Sequence, residues 1–120
     1  MTRSTSRAAA ERRLLELHAA TCSILAHPTR LAMIEALRVG ERTVTDLVDA
    51  VGTSAGNLSQ HLGAMRNAGV VQVRREGRFA FYRISDPRIL RAFRLMRDVL
   101  LRRLARDARL ADDVLQEARR

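Results

Sequence analysis

Lysine and tryptophan are absent from this chain of 120 residues, cysteine and tyrosine occur once each, phenylalanine three times and proline twice. The single cysteine, Cys22, excludes an internal disulfide framework and suits a reducing compartment. No apolar run approaches the ~18 residues of a membrane span, and the opening MTRSTSRAAAERR lacks the apolar core of a secretory signal. The expected location is therefore the cytoplasm, with no membrane partner. Enzymatic patterns are missing too. The three histidines are scattered, Cys22 has no obvious asparagine or aspartate helper, and neither a phosphate-binding glycine loop nor a His-Glu-x-x-His pair is present. No catalytic residue and no cofactor is expected.

What the chain does have is positive charge. Its 22 basic residues, all arginine, outnumber 13 acidic ones for a net charge of +9, within a composition that is 47% hydrophobic and 29% charged. That is a soluble globular composition and a length for one domain. The charge points to a polyanion, either nucleic acid or anionic lipid, unless the arginines are merely solvated.

Hydrophobic periodicity divides the chain into helices and one hairpin. Residues 1–10 read as a flexible N-terminus, residues 11–108 as the folded domain and 109–120 as a helical tail. A first helix is expected from about Ala9 to Leu25, where Leu14, Leu17, His18, Thr21, Cys22 and Leu25 recur at helical spacing. A second follows in AHPTRLAMIEALRVGE, with Pro28 in its first turn, Gly40 beyond its end, and Leu31, Ile34 and Leu37, with Ala32 and Met33 alongside, as its buried side. In RTVTDLVDAVG, Thr43 and Asp46 form a cap, Val44, Leu47, Val48 and Val51 make the inner face, and Gly52 is the stop. Thr53 or Ser54 then caps a fourth helix anchored by Leu58, Leu62 and Met65 and ended by Gly69. VVQVRREGRFAFYRI reads as a β-hairpin with its turn in REGR, and a last helix starts near Pro87, with Ile89, Phe93, Met96, Leu100 and Leu104 on one side. These parts describe a mainly α fold with a small β-hairpin, a winged helix-turn-helix.

From Ala50 to Met65 no residue carries a formal charge, in a chain of net charge +9. With Leu58, Leu62 and Met65 turned inward, the opposite face is centred on Gly56, Gln60, Gly63 and Asn67, flanked by Asn57 and Ser59. Neutral amides and hydroxyls of this kind read base edges, whereas guanidinium groups hold phosphates. The candidate DNA-binding residues are therefore Ser54, Gly56, Asn57, Ser59 and Gln60 for bases, with Arg66, Arg74, Arg75 and Arg78 for the backbone.

Three blocks, LAHPTRLAMIEAL, TVTDLVDAVGTSAGNLSQHLGAMRNAGVV and RREGRFAFYRI, resemble successive segments of the ArsR/SmtB-type winged-helix transcriptional repressors. The resemblance runs from about Leu14 to Leu104, and includes the Ser-x-His-Leu block at Ser59, His61 and Leu62, the helix end Gly69-Val70-Val71 and the wing Arg75-Glu76-Gly77-Arg78. It implies a repressor that binds an inverted-repeat operator as a homodimer, with the first and last helices packed together. The interface residues so implied are Leu14, Leu17, Cys22, Phe93, Met96, Leu100 and Leu104. It also implies release of DNA by a small effector, yet the known metal motifs are missing. Thr43 and Thr45 stand where arsenic, cadmium and lead sensors carry Cys-x-Cys. Aligning Asp86 with the zinc sensors leaves Arg88, Val99 and Arg102 at the other ligand positions. His18 and Cys22, one helical turn apart, suit a metal pair in a dimer or an oxidation-sensitive thiol, but a half-buried histidine beside a small core cysteine accounts for them as well. No metal is assigned, and a small-molecule or redox effector stays unidentified. His61 is expected to be structural, bonded to nearby backbone. The competing reading is a basic winged-helix module that docks on an acidic protein or anionic surface without sequence preference.

Overall fold

The computed structural model describes residues 3–120, so the first two residues of the expected N-terminal segment lie outside the described residues. The chain divides into two compact units, Met1–Asp86 and Pro87–Arg120. The first contains helices α1 (Arg3–Leu25), α2 (Pro28–Ala36), α3 (Val44–Val51) and α4 (Ala55–Asn67) and strands β1 (Arg42–Thr43), β2 (Val71–Glu76) and β3 (Phe79–Ile84). The second is one helix, α5 (Pro87–Ala118). It runs unbroken across residue 108, where the sequence suggested that a domain gives way to a tail.

Helix α1 begins at Arg3, not near Ala9. The segment expected to be a flexible tail is therefore helical from residue 3, continued through Ala8, Ala9 and Ala10, the residue type with the highest helix propensity. Ion pairs from Arg12 and Arg13 to Glu16 support the next turns. In α2 the buried side chains are Met33 and Ile34, with Leu37 just beyond in a short 3-10 turn. Leu31, expected in the core, is 37% exposed. The inward ridge instead passes through Arg30, Ile34 and Leu37, and the Arg30 guanidinium takes up the polar end of that ridge.

The capping chemistry works as the sequence suggests. Thr43 Oγ1 accepts from the Asp46 amide and the Asp46 carboxylate accepts from the Thr43 amide, each at 3.2 Å, closing a reciprocal box at the start of α3. Gly52 ends that helix in the left-handed region at φ 78°. Ser54 caps α4 by accepting from the Asn57 amide. A two-residue loop, Gly77-Arg78, joins β2 to β3 with Gly77 at φ 60°, the arrangement of a type II′ hairpin turn. The sequence reading missed β1. Only two residues long, it pairs with β3 and makes a three-stranded antiparallel sheet in the order β1-β3-β2.

The core of the first unit is small. Met33, Ile34, Leu37, Leu47, Leu58, Leu62, Met65, Val70 and Val71 are its buried apolar residues. The end of α4 is lashed to the root of the hairpin: the Val70 amide donates to Met65 O, the Ser85 amide to Val70 O, and Ser85 Oγ to Gly69 O at 2.6 Å. No helix among the described residues is long and apolar enough to cross a membrane. Leu62→Ala is expected to destabilise the protein by ~2–5 kcal/mol, and Thr43→Ala by about 1 kcal/mol. Chemical denaturation followed by circular dichroism reads both.

Candidate nucleic-acid interface

Helix α4 is held from one side only. Leu58, Leu62 and Met65 are 0–2% exposed, while Gly56, Asn57, Ser59, Gln60, Gly63 and Asn67 all face solvent. Two of the expected base-reading side chains already have work inside the fold. Ser54 Oγ is the helix cap, and the Asn57 side-chain amide donates to Thr53 Oγ1 at 2.8 Å. Gln60 and Ser59, both exposed, make no side-chain hydrogen bond among the described residues.

The two helical glycines are informative because the fold does not require them. A Cβ added at Gly56 or Gly63 would meet nothing within 4 Å. Glycine in a helix interior costs roughly 0.5–1 kcal/mol relative to alanine, and no contact among the described residues requires it at these two positions.

The candidate basic residues differ in what they do inside the fold. Arg66, in the last turn of α4, and Arg75 and Arg78, on the hairpin, are exposed and make no ion pair among the described residues. Arg74, expected to contact phosphate, is occupied instead. Its Nη2 donates to Glu41 Oε2 at 2.9 Å, its Nη1 to Glu76 Oε2 at 2.6 Å, and its guanidinium lies 4.6 Å from the centre of the Phe81 ring. Strand alternation explains the grouping: cross-strand pairs Gln72–Arg83, Arg74–Phe81 and Glu76–Phe79 share the outer face of the hairpin, while Val71–Ile84 and Val73–Tyr82 share the inner one. Glu41 reaches this outer face from the loop before β1. Hydrogen bonding from Arg74 pulls the Glu41 carboxyl below its ordinary value, and the same carboxylates raise the already high Arg74 value further. Arg74 thus fastens the wing to the body of the unit, a role its sequence neighbours did not reveal because Glu41 lies 33 positions away.

His61 is half-buried and structural, but its partner is not backbone: Nδ1 accepts from Arg30 Nε at 2.9 Å. The expected interface residues Leu14, Leu17 and Cys22 of α1 are exposed in the single chain, and so are Met96, Leu100 and Leu104 of α5, while Phe93 is partly covered. Among the described residues no three His, Cys, Asp or Glu side chains converge in a metal-holding cluster. Thr43, at one family metal position, is committed to its helix cap.

The family model described as bacterial regulatory protein, arsR family, matches residues 27–73, which span α2, α3, α4 and the start of β2. The HTH-type transcriptional regulator Rv0081 of Mycobacterium tuberculosis is 38% identical over 102 residues, 84% of this chain and 90% of that protein. Its crystal structure superposes with a TM-score of 0.70 at 41% identity, over 77% of this chain and 93% of the other. The solution structure of the homodimeric winged helix-turn-helix DNA-binding domain of Mb0332 from Mycobacterium bovis gives a TM-score of 0.72 at 33% identity, over 78% and 87%. The transcriptional repressor BigR of Xylella fastidiosa gives 0.67 at 31% identity, over 82% and 96%.

The Arg74 clip has a measurable signature. The Glu41 carboxyl is expected to titrate below 4.5, its ordinary value, in the intact protein, and to move back up in Arg74→Gln. A carbon-13 NMR titration of the side-chain carboxyls reads this, and an unmoved Glu41 resonance would mean that the clip does not form in solution.

Proposed function

Because this chain belongs to the ArsR family of bacterial regulatory proteins, we propose that it is a homodimeric, sequence-specific DNA-binding repressor in which α4 reads bases and the free arginines hold the backbone. The observation that carries the reading is the exposed, uncharged outer face of α4, with open space beside the glycines at positions 56 and 63, in a unit where Arg66, Arg75 and Arg78 are exposed and make no ion pair among the described residues. Helix α4 follows α3 across a three-residue turn, in the position of a recognition helix that enters the major groove.

Within that groove Gln60 presents a donor and an acceptor together, the pair that fits an adenine edge, and Ser59 bonds to several bases. Gly56 and Gly63 let the helix backbone come close. Arg66, Arg75 and Arg78 contact phosphates and supply the salt-dependent share of affinity. Arg74 contributes by fixing the wing from which Arg75 and Arg78 project. The dimer covers the apolar side chains that the single chain leaves exposed, Leu14 and Leu17 on α1 and Met96, Leu100 and Leu104 on α5, with Cys22 and Phe93 beside them. A two-fold protein then matches a two-fold operator.

The test is to select a duplex from a randomised pool and titrate it, with a scrambled control, by fluorescence anisotropy at one salt concentration. A preference of roughly a thousandfold or more at two chains per site supports the reading. Equal, steeply salt-dependent binding to both duplexes overturns it in favour of a general polyanion binder.

The division of labour gives two further outcomes. Gln60→Ala is expected to lose ~1–3 kcal/mol of discrimination at particular base pairs, whereas Arg78→Ala weakens specific and scrambled DNA alike and flattens the salt dependence. Gly63→Ala is expected to stabilise the free protein by roughly 0.5–1 kcal/mol while weakening the specific complex, measured by thermal melts and by anisotropy.

A further inference from the structure

Arg30 is placed where three helices meet. It lies in α2, its Nε donates to His61 Nδ1 of α4 at 2.9 Å, and its Nη1 donates to the Ile24 carbonyl at the end of α1 at 2.7 Å. Ile24 O is one of the last-turn carbonyls that an α-helix cannot satisfy by itself, so a single guanidinium both closes α1 and grips α4.

The place of this grip on α4 matters. Leu58, Leu62 and Met65 form a narrow apolar row that holds the helix down. A single row resists lifting but leaves the helix free to roll about its long axis. His61 stands on the flank of that row and supplies a fixed point against roll. Gln60, the next residue in the same turn, moves with it. An error in roll swings Gln60 sideways, and a paired donor and acceptor tolerates little of that.

The grip also has a chemical condition. Nδ1 accepts a hydrogen bond only while it carries no proton, so the ring must be neutral with its proton on Nε2. A protonated ring has donors on both nitrogens and places a second cation at hydrogen-bond distance from the guanidinium. The charged and titratable groups acting on His61 are Arg30 of α2 and His27, whose ring centre is 6.1 Å away just before α2. Neither favours a charged ring, and what α1 brings to the clamp, the Ile24 carbonyl, is taken by Arg30.

We propose that Arg30 is a positioning residue for base reading, acting through neutral His61, so that protonation of His61 releases the roll of α4 and lowers specific DNA affinity. This rests on the DNA-reading role proposed for α4. Burial first, then the positive charges of Arg30 and His27, hold the imidazole below its ordinary value of 6.5. A group whose value is depressed by folding favours the folded arrangement above its unfolded value and works against it as the pH falls. The clamp is therefore intact at neutral pH and weakens on the acid side of 6.5.

The experiment follows the selected and scrambled duplexes by anisotropy from about pH 7.5 to about pH 5.5, with His61→Asn beside the wild type. Asparagine offers a neutral acceptor near Nδ1 and does not titrate. Wild-type specific affinity is expected to fall by roughly fivefold or more on acidification, the proton release coupling to a bond that the charged ring cannot make. Scrambled-duplex affinity does not follow it, and the specific affinity of His61→Asn, whatever its level at neutral pH, loses the acid sensitivity. An identical acid profile in wild type and His61→Asn overturns the clamp alone. Lack of any preference for the selected duplex in the wild type at neutral pH overturns the DNA-reading role and the clamp together. If His61→Asn fails to fold, nitrogen-15 NMR of the wild-type ring decides: the proposal requires Nδ1 unprotonated at neutral pH, and a ring protonated at Nδ1 overturns it.

Discussion

Everything proposed for this chain depends on α4 being fastened by one face. Leu58, Leu62 and Met65 carry the attachment, and because three side chains suffice, the rest of the helix circumference is released from the needs of the core. That freedom permits sixteen consecutive residues without formal charge, from Ala50 to Met65, in a strongly basic protein. It also creates a weakness, since a narrow seam controls depth better than angle. The hydrogen bonds around it compensate: Ser54 closes the front of the helix, Ser85 and Val70 tie its end to the hairpin, and Arg30 grips its flank.

The helix caps and turns were readable from the sequence because their partners are neighbours. The Thr43–Asp46 cap and the Gly52 stop form as the spacing suggests, Ser54 rather than Thr53 closes α4, and the hairpin turns at Gly77-Arg78 within REGR; each needs only a few consecutive residues. Helical phase was harder to read. In LAMIEAL almost every position is apolar, so periodicity does not choose between Leu31 and Met33, and the buried face is decided by Arg30 reaching inward. Strand β1 left no signal, because two residues show no alternation.

The least legible part was the distinction among arginines. Arg74 and Arg75 are adjacent in sequence and identical in type, yet one is tied to two carboxylates and an aromatic ring while the other makes no ion pair among the described residues. Strand alternation puts them on opposite faces, and Glu41 arrives on one of those faces from a distant loop. His61 is similar. Its histidine-leucine setting marks it as structural, but the partner 31 residues away could come only from the fold. Charge counted along a sequence therefore overstates what is available to a polyanion.

The sheet order leaves β2 with one edge unpaired, since β3 lies between it and β1. An open edge is a template for another strand, and two wings brought near each other along one DNA molecule would be candidates to adhere. The run Arg74-Arg75-Glu76 occupies the outer half of that edge, and charged side chains are among the features that blunt an open edge. The ionic cluster that steadies the wing thus also lies along an open edge of the sheet.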